Sequence, residues 1–187
     1  MTDITVIKRS GTKEPLAVEK WQAQVAKVCS GIADVSQSMI EINAQPHFYD
    51  GITTHEIDNI TLRAIVDLID VESNPDLGHT NYQYVAGKQR LSMLRKDVYG
   101  SYTPPRLYDI VRKNVQEGMY TPDLLEWYTE EDWDKMDKII DHEKDENYSY
   151  AAIEQMIEKY LIRNRSTKII YETPQVRYIV AAATVMH

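Results

Sequence analysis

The sequence contains very little cysteine, and this limits the kinds of site that it can build. Cys29 is the only cysteine among 187 residues, so the chain can form neither an internal disulfide nor a thiolate zinc site. Cys29 falls on the apolar face of a predicted helix, where a free cysteine packs as a small hydrophobe rather than acting as a reactive thiol. A chain without disulfides is typical of a reducing compartment, and we expect a cytoplasmic protein.

Long apolar runs and an excess of positive charge are also missing. No segment approaches the roughly 20 apolar residues that a membrane-spanning helix needs, and the first residues, MTDITVIKRS, lack the apolar region of a signal peptide. The net charge of −8 argues against a general nucleic-acid-binding or membrane-binding surface, because such surfaces are basic. The sequence therefore predicts neither a membrane partner nor a nucleic-acid partner.

Motifs for catalysis and metal binding are absent from the sequence. The 5 histidines have no metal-ligand spacing with one another or with Cys29. There is no Walker loop, no G-x-G-x-x-G and no G-x-S-x-G. The acid-rich segments EEDWDKMD and DHEKDE are expected to be solvated helix faces rather than acid–base pairs. We therefore predict no catalytic residue and no metal site in this chain.

Residues 1–100 are predicted to form one small domain, a β-hairpin followed by four helices. The hairpin covers residues 3–17, with a turn at Ser10-Gly11. Helices are indicated by apolar residues at helical spacing, over about 18–31, 36–46, 53–68 and 81–99. Thr53 and Glu56 have the spacing of a capping box at the start of the third helix. The fourth helix is predicted to bury a stripe formed by Tyr84, Gly87, Leu91, Leu94 and Val98.

Residues 101–187 are predicted to form a second, mostly helical segment, so that the fold is mainly α. Helix starts are indicated at Pro105, Thr121-Pro122 and Thr129-Glu130. A further helix is predicted from a stripe of Tyr150, Ile153, Ile157 and Tyr160, followed by a tight turn, a short strand and a Pro-initiated last helix. The apolar face of that last helix, formed by Val176, Ile179, Val180 and Ala183, either packs on residues 101–170 or has its partner outside this chain.

Cations cluster near the hairpin of this otherwise acidic chain. Lys8 and Arg9 precede the glycine turn, and Lys20 lies in the first turn of the next helix. Thr54 lies at the start of another helix, where free amides and the helix dipole favour anions. Together with Lys96 these groups could converge on a polyphosphate, and Glu14 could accept a hydrogen bond from the exocyclic amine of adenine. If spacing alone is considered, the alternative is that these cations form a solvated surface.

Several segments resemble one known family. VIKRSG, with the later Lys20, resembles the opening of an ATP-cone, a nucleotide-sensing module, and the likeness continues in FYDGITTHEI, NYQYVAGKQRLSMLRKDVYG and TPPRLYDIV. YTEEDWDKMD, IDHEKDENYSYAA, KYL and IYETPQ follow in the same order. Over essentially its whole length the chain is similar to the N-terminal part of the large (alpha) subunit of class I ribonucleotide reductase.

The resemblance implies a function and a binding site. The family reduces ribonucleoside diphosphates by radical chemistry, with the radical supplied by a small (beta) subunit, and its ATP-cone switches the enzyme on with ATP and off with dATP. It implies ATP or dATP as effector, with magnesium, and as partners the small subunit and the remainder of the large subunit. The phosphates would be held by Lys8, Arg9 and Lys96. The base would be contacted by Glu14 and by the backbone around Val6, Pro15, Leu16, Ala17 and Val18, while Lys20 and Thr54 would complete the pocket.

Three positions depart from the well-studied bacterial pattern of the family. Ala17 stands where an asparagine would read the base, Asp58 where a histidine would approach the ribose, and Ser92 where an aromatic residue would pack near the ligand. The loop at residues 71–80 is also longer. We expect the loss of these contacts to weaken nucleotide binding, or to weaken discrimination between ATP and dATP, by about 1 kcal/mol per contact. Asp58 would also repel a nearby phosphate.

The family's catalytic groups have no counterpart in this chain, and Cys29 falls in the cone rather than in a catalytic barrel. The resemblance therefore implies that the chain alone is inactive, as a fragment, a truncated product or one half of a split subunit. Two alternatives stay open. One is a nucleotide-sensing regulator without enzyme activity, whose known family carries a zinc ribbon of CxxC motifs. The other is an acidic interaction protein that ignores nucleotides.

Overall fold

The computed structural model describes residues 4–70 and 79–187. Helices dominate these residues and one 3-stranded sheet accompanies them, which confirms the predicted mainly α fold. The chain divides into two compact units, Met1–Arg90 and Leu91–His187. A single helix runs across this division, so the predicted domain boundary at residue 100 remains a prediction.

The first unit contains the predicted hairpin and helices, together with one strand that the sequence did not indicate. Its elements are β1 (Thr5–Ile7), β2 (Lys13–Pro15), α1 (Val18–Cys29), α2 (Gln37–Ala44), β3 (Ile52–Thr53), α3 (Thr54–Asp67) and the first half of α4 (Tyr82–Tyr99). The hairpin turn is closed by Gly11, whose φ of +82° is a conformation that glycine adopts without strain. The predicted hairpin and four helices are therefore confirmed.

The sheet has the strand order β2-β1-β3. β1 pairs antiparallel with β2, with Val6 opposite Glu14. β3 pairs with β1 in parallel, with Val6 opposite Ile52 and Ile7 opposite Thr53. A parallel partner needs a crossover connection, and here α1 and α2 form it.

Trp21 anchors the core of the first unit. Its indole Nε1 donates a hydrogen bond of 2.9 Å to the buried Thr61 hydroxyl, and its ring packs edge-on against Phe48 with 4.9 Å between centroids. The predicted burial of Tyr84 is wrong: Tyr84 is 40% exposed, whereas Tyr82 is 1% exposed. The Tyr82 hydroxyl accepts a hydrogen bond from the Ser36 amide at 2.8 Å, so a polar partner for this hydroxyl determines which tyrosine faces the core.

The second unit is helical throughout its core. It contains the second half of α4, followed by α5 (Leu107–Gln116), α6 (Asp123–Trp127), α7 (Glu130–Asp137), α8 (Tyr150–Gln155) and α9 (Pro174–Val185), with a 3₁₀ helix at His142–Asn147. The predicted strand before α9 is reduced to a single bridge between Arg163 and Ile170. α7 begins at the predicted Thr129-Glu130, and α5 and α6 begin one or two residues after the predicted starts at Pro105 and Thr121-Pro122.

The last helix packs on its own unit. Val176, Val180 and Ala183 of α9 are buried in a core that includes Leu107 and Trp133. The Tyr128 hydroxyl also donates to the Ala183 carbonyl at 3.1 Å. Of the two possibilities left open by the sequence, the one in which α9 packs on residues 101–170 is therefore confirmed.

Two predictions for the second unit are wrong. Tyr160, expected in a buried stripe, is 53% exposed, because α8 gives way to a π-helical turn over Met156–Tyr160 that rotates this residue off the apolar face. The DHEKDE segment is not solvated throughout, since Asp145 is 0% exposed. Burial raises the pKa of Asp145 to about 6, although Arg95 and Gln175 act in the opposite direction.

A second buried carboxylate, Glu172, organises the turn before α9. It accepts hydrogen bonds from the Tyr120 hydroxyl at 2.6 Å and from the Ile162 amide at 2.7 Å. The Arg177 guanidinium lies 3.8 Å away. Burial raises the pKa of Glu172 while these three partners lower it. The sequence gives no signal for this role, because a buried acidic residue cannot be told from an exposed one in a single sequence.

Candidate nucleotide-binding site

Parallel pairing of β1 with β3 brings the cationic hairpin turn to the start of α3. Lys8 and Arg9 follow β1 directly, and Thr54 follows β3 directly. Because Ile7 lies opposite Thr53, Lys8 and Thr54 leave the sheet at the same edge. The strand that sequence reasoning missed is therefore the element that joins two predicted parts of the site.

The first turn of α3 is held by the predicted capping box. The Thr53 hydroxyl accepts from the Glu56 amide at 3.1 Å, and Glu56 Oε2 accepts from the Thr53 amide at 2.8 Å. The amides of Thr54 and His55 belong to the first turn of the helix, where backbone N–H groups have no carbonyl partner within the helix. Such amides, with the helix dipole, favour a bound anion such as phosphate.

Tyr49 adds a contact that the sequence analysis did not anticipate. Its hydroxyl donates to Glu56 Oε1 at 2.7 Å. The Thr53 amide, the Tyr49 hydroxyl and the Thr53 hydroxyl together hold the pKa of Glu56 below its usual value. Both residues lie in FYDGITTHEI. The sequence feature that could have indicated this hydrogen bond is a tyrosine seven positions before the acidic residue of the capping box.

The hairpin side chains are accessible to a ligand. Lys8 Nζ lies 3.4 Å from Glu14 Oε2, across the two strands. Arg9, Glu14 and Lys20 are all exposed, and an ion pair in this setting is strongly screened by water. The structure thus pairs Lys8 with Glu14 across β1 and β2, and it has Lys8 and Thr54 follow β1 and β3 at the same end of the sheet.

The backbone predicted to contact the base lies along β1, at the end of β2 and at the start of α1. Val6 is buried in the sheet, Leu16 donates its amide to the Ile4 carbonyl at 2.8 Å, and Pro15 is exposed. Ala17 is the N-cap residue of α1 and makes no side-chain capping bond. Leu16, Ala17 and Val18 are half-buried.

The other predicted site residues have different surroundings. Asp58 is buried in α3, and its carbonyl accepts from the Gln89 side chain at 3.4 Å. Lys96 and Ser92 belong to the second unit, where the Lys96 ammonium lies 4.5 Å from the centre of the Tyr102 ring. Residues 71–78 of the longer loop lie outside the described residues.

Cys29 has the properties of a structural thiol. It is half-buried at the end of α1. Burial raises its pKa to about 11, Glu41 raises it further, and Lys88 opposes the change. A thiol with this pKa carries very little thiolate at neutral pH, which agrees with the predicted packing role. Across residues 4–70 and 79–187, no group of His, Cys, Asp and Glu side chains has the arrangement of a metal site.

Comparison with known proteins assigns the first unit to a family. The family model described as the ATP cone domain matches residues 4–97, and the chain belongs to this family. The domain assignment supports binding of a nucleotide effector. The resemblance predicted from VIKRSG and the segments that follow it is thereby confirmed.

Similarity to longer proteins extends through the second unit. The chain is 41% identical to ribonucleoside-diphosphate reductase subunit alpha of Haemophilus influenzae, over 97% of the chain and 23% of that relative. The corresponding values for ribonucleoside-diphosphate reductase 1 subunit alpha of Escherichia coli K12 are also 41%, 97% and 23%. For the subunit alpha of Enterobacteria phage T4 they are 36%, 94% and 22%. The chain thus spans about a quarter of the length of these relatives and matches their N-terminal region.

One further finding concerns the helices of the described residues. None of them combines the length and the apolar character needed to cross a lipid bilayer.

Proposed function

We propose that the first unit binds ATP or dATP, as the magnesium complex, and acts as the allosteric activity site of a ribonucleoside-diphosphate reductase. The catalytic part of that enzyme lies in the remainder of the large subunit, and a small (beta) subunit supplies the radical. The observation that supports the proposal is the parallel β1–β3 pairing, because Lys8 follows β1 and Thr54 begins α3 directly after β3, at the same end of the sheet.

The geometry supports different roles for the residues of this site, some for the phosphates and one for the base. The first-turn amides of α3 and the Thr54 hydroxyl are suited to one phosphate, and Lys8, Arg9 and Lys20 are suited to neutralising the others. Glu14, on β2, would accept a hydrogen bond from the exocyclic amine of adenine. Lys8 must leave Glu14 before it can engage phosphate, which costs little because the pair is exposed.

Similarity over the whole chain favours this function over the two alternatives. A free-standing nucleotide sensor would have no need for a second unit that resembles the alpha subunit of a reductase, and an acidic interaction protein would have no need for a cationic hairpin. The beta subunit as partner, and a cytoplasmic location, remain predictions made from the resemblance and from the single cysteine.

Calorimetric titration with ATP and with dATP, in the presence of magnesium, tests the proposal. We expect the wild-type chain to bind both nucleotides at one site and the double variant Lys8→Ala/Arg9→Ala to lose at least about tenfold in affinity, since two charge-assisted contacts are removed. The matched control is Arg112→Ala/Lys113→Ala, which removes two adjacent exposed cations from the second unit. Equal losses in both double variants, or unchanged affinity in the first, would eliminate the hairpin as the phosphate site. Circular dichroism verifies that helical content is retained.

A further inference from the structure

The start of α3 carries a fixed negative charge of its own. Glu56 Oε2 accepts from the Thr53 amide at 2.8 Å and from the Thr53 hydroxyl at 2.7 Å. Glu56 Oε1 accepts from the Tyr49 hydroxyl at 2.7 Å. Three donors therefore hold the carboxylate at the first helical turn. Because Thr53 lies opposite Ile7, this charge lies at the edge where the hairpin cations emerge.

We propose that Glu56 is a charge-selective residue of the nucleotide site, which limits how tightly the site holds a polyphosphate. This inference rests on the proposed nucleotide-binding function. A carboxylate and a phosphate at one helix start share the same favourable dipole potential and repel each other. The repulsion grows with the charge of the ligand, so it weakens binding of a triphosphate more than binding of a monophosphate.

The position of Glu56 explains why such a charge is retained so close to a phosphate site. Its carboxylate completes the capping box that begins α3, and that helix contributes much of the core of the first unit. The residue therefore has a structural role that is independent of its charge. Glutamine can complete a capping box as well, so the sequence could keep the cap without the charge.

The variant Glu56→Gln separates the two roles. With its amide oxygen in the position of Oε2, glutamine accepts from the Thr53 amide, and its NH2 group in the position of Oε1 can donate to the Tyr49 hydroxyl. The cap therefore persists while the charge is removed. A matched control lies in the second unit. There Thr129 and Asp132 form an equivalent reciprocal capping box at the start of α7, and Asp132→Asn removes the same charge from a similar position.

The experiment titrates the full chain with AMP, ADP and ATP, with and without magnesium. Without magnesium, we expect Glu56→Gln to increase ATP affinity by about three- to tenfold and AMP affinity by a clearly smaller factor, because Coulomb repulsion scales with the charge of the ligand and ATP carries about twice the charge of AMP. With magnesium, which offsets part of the charge of ATP, the increase should be smaller. Affinities of Asp132→Asn should match those of the wild type. Circular dichroism of each variant verifies the helix content.

Three results would overturn the role of Glu56. Affinity for ATP could be unchanged in Glu56→Gln, or it could increase equally for AMP, ADP and ATP. It could also fall in the presence of magnesium, which would show that the carboxylate recruits the cation. Each of these leaves the proposed function intact as long as the wild type binds ATP and Lys8→Ala/Arg9→Ala binds it at least about tenfold more weakly. Absence of wild-type binding to all three nucleotides would instead refute the proposed function, and the role of Glu56 with it.

Discussion

Lys8 and Glu14 form an ion pair of 3.4 Å across the N-terminal hairpin. The pair joins the residue proposed to hold phosphate to the residue proposed to recognise adenine. Without nucleotide, the two side chains partly neutralise each other, while Arg9 and Lys13 remain exposed on the same hairpin. A nucleotide that engages both residues must replace this pair with two contacts of its own.

Replacing Glu14 should therefore separate recognition of the base from recognition of the phosphates. For Glu14→Ala we expect ATP affinity to fall by about ten- to a hundredfold, because a hydrogen bond to a charged group contributes about 1.5–3 kcal/mol. Affinity for inorganic tripolyphosphate should hold or rise, because Lys8 is released from its partner. Calorimetry with ATP, GTP and tripolyphosphate measures the three effects. Parallel losses for ATP and tripolyphosphate would contradict a base-reading role.

Ala17 offers a test of stability in the same region. It occupies the N-cap position of α1 without a side-chain acceptor, so Ala17→Ser and Ala17→Asn should each stabilise the first unit by about 1 kcal/mol. The asparagine variant should also tighten ATP binding, because the family resemblance places a base-reading asparagine at this position. Urea unfolding followed by circular dichroism, with calorimetry, distinguishes the effects. If serine and asparagine tighten binding equally, helix capping alone accounts for the gain.

The buried Asp145 should make the stability of the second unit depend on pH. Burial raises its pKa to about 6 in the folded chain, against about 3.9 for an unfolded aspartate. Between about pH 4 and pH 6 the Asp145 carboxyl is therefore protonated in the folded chain and ionised in the unfolded chain. The stability that this proton gives the folded state is present in full below about pH 4 and is lost as the pH rises through about 6. We expect Asp145→Asn to be more stable than the wild type by roughly 3 kcal/mol at pH 8, with the difference disappearing near pH 4.

Urea unfolding at several pH values checks this expectation. Asp132→Asn provides a contrast, because the Thr129 hydroxyl, the Thr129 amide and Lys135 lower the pKa of Asp132. Its carboxylate should stabilise the fold near neutrality and lose that effect as the pH falls. Destabilisation of Asp145→Asn at pH 8 would show that attraction to Arg95 outweighs the cost of burial.

Local signals in the sequence predicted local structure well. The Thr53–Glu56 capping box, the hairpin turn at Gly11 and the Pro-initiated α9 each depend on a few neighbouring residues, and the structure shows all three. Lys8 and Arg9 were placed on the hairpin for the same reason. Spacing grouped them with Thr54 only as one of two alternatives, and the family resemblance favoured this grouping over a solvated cationic surface.

Features that depend on distant contacts were missed. The strand β3 has two residues and exists through its pairing with β1, which is remote in sequence. Asp145 and Glu172 are buried by helices that pack over them, and nothing in the neighbouring sequence distinguishes them from surface acids. The choice of Tyr82 over Tyr84 depends on the Ser36 amide across the unit.

The environment of Trp21 has a practical consequence. Its indole is held by Thr61 and Phe48 in the first unit and lies on the helix that begins beside the proposed base pocket. Its fluorescence is therefore an intrinsic optical probe of the nucleotide-binding unit, and the buried Trp133 serves the second unit in the same way. Trp127 also belongs to the second unit. Replacing Trp21 with phenylalanine would therefore leave a signal from the second unit alone, and replacing both Trp127 and Trp133 would leave a signal from the first unit alone, without an added label.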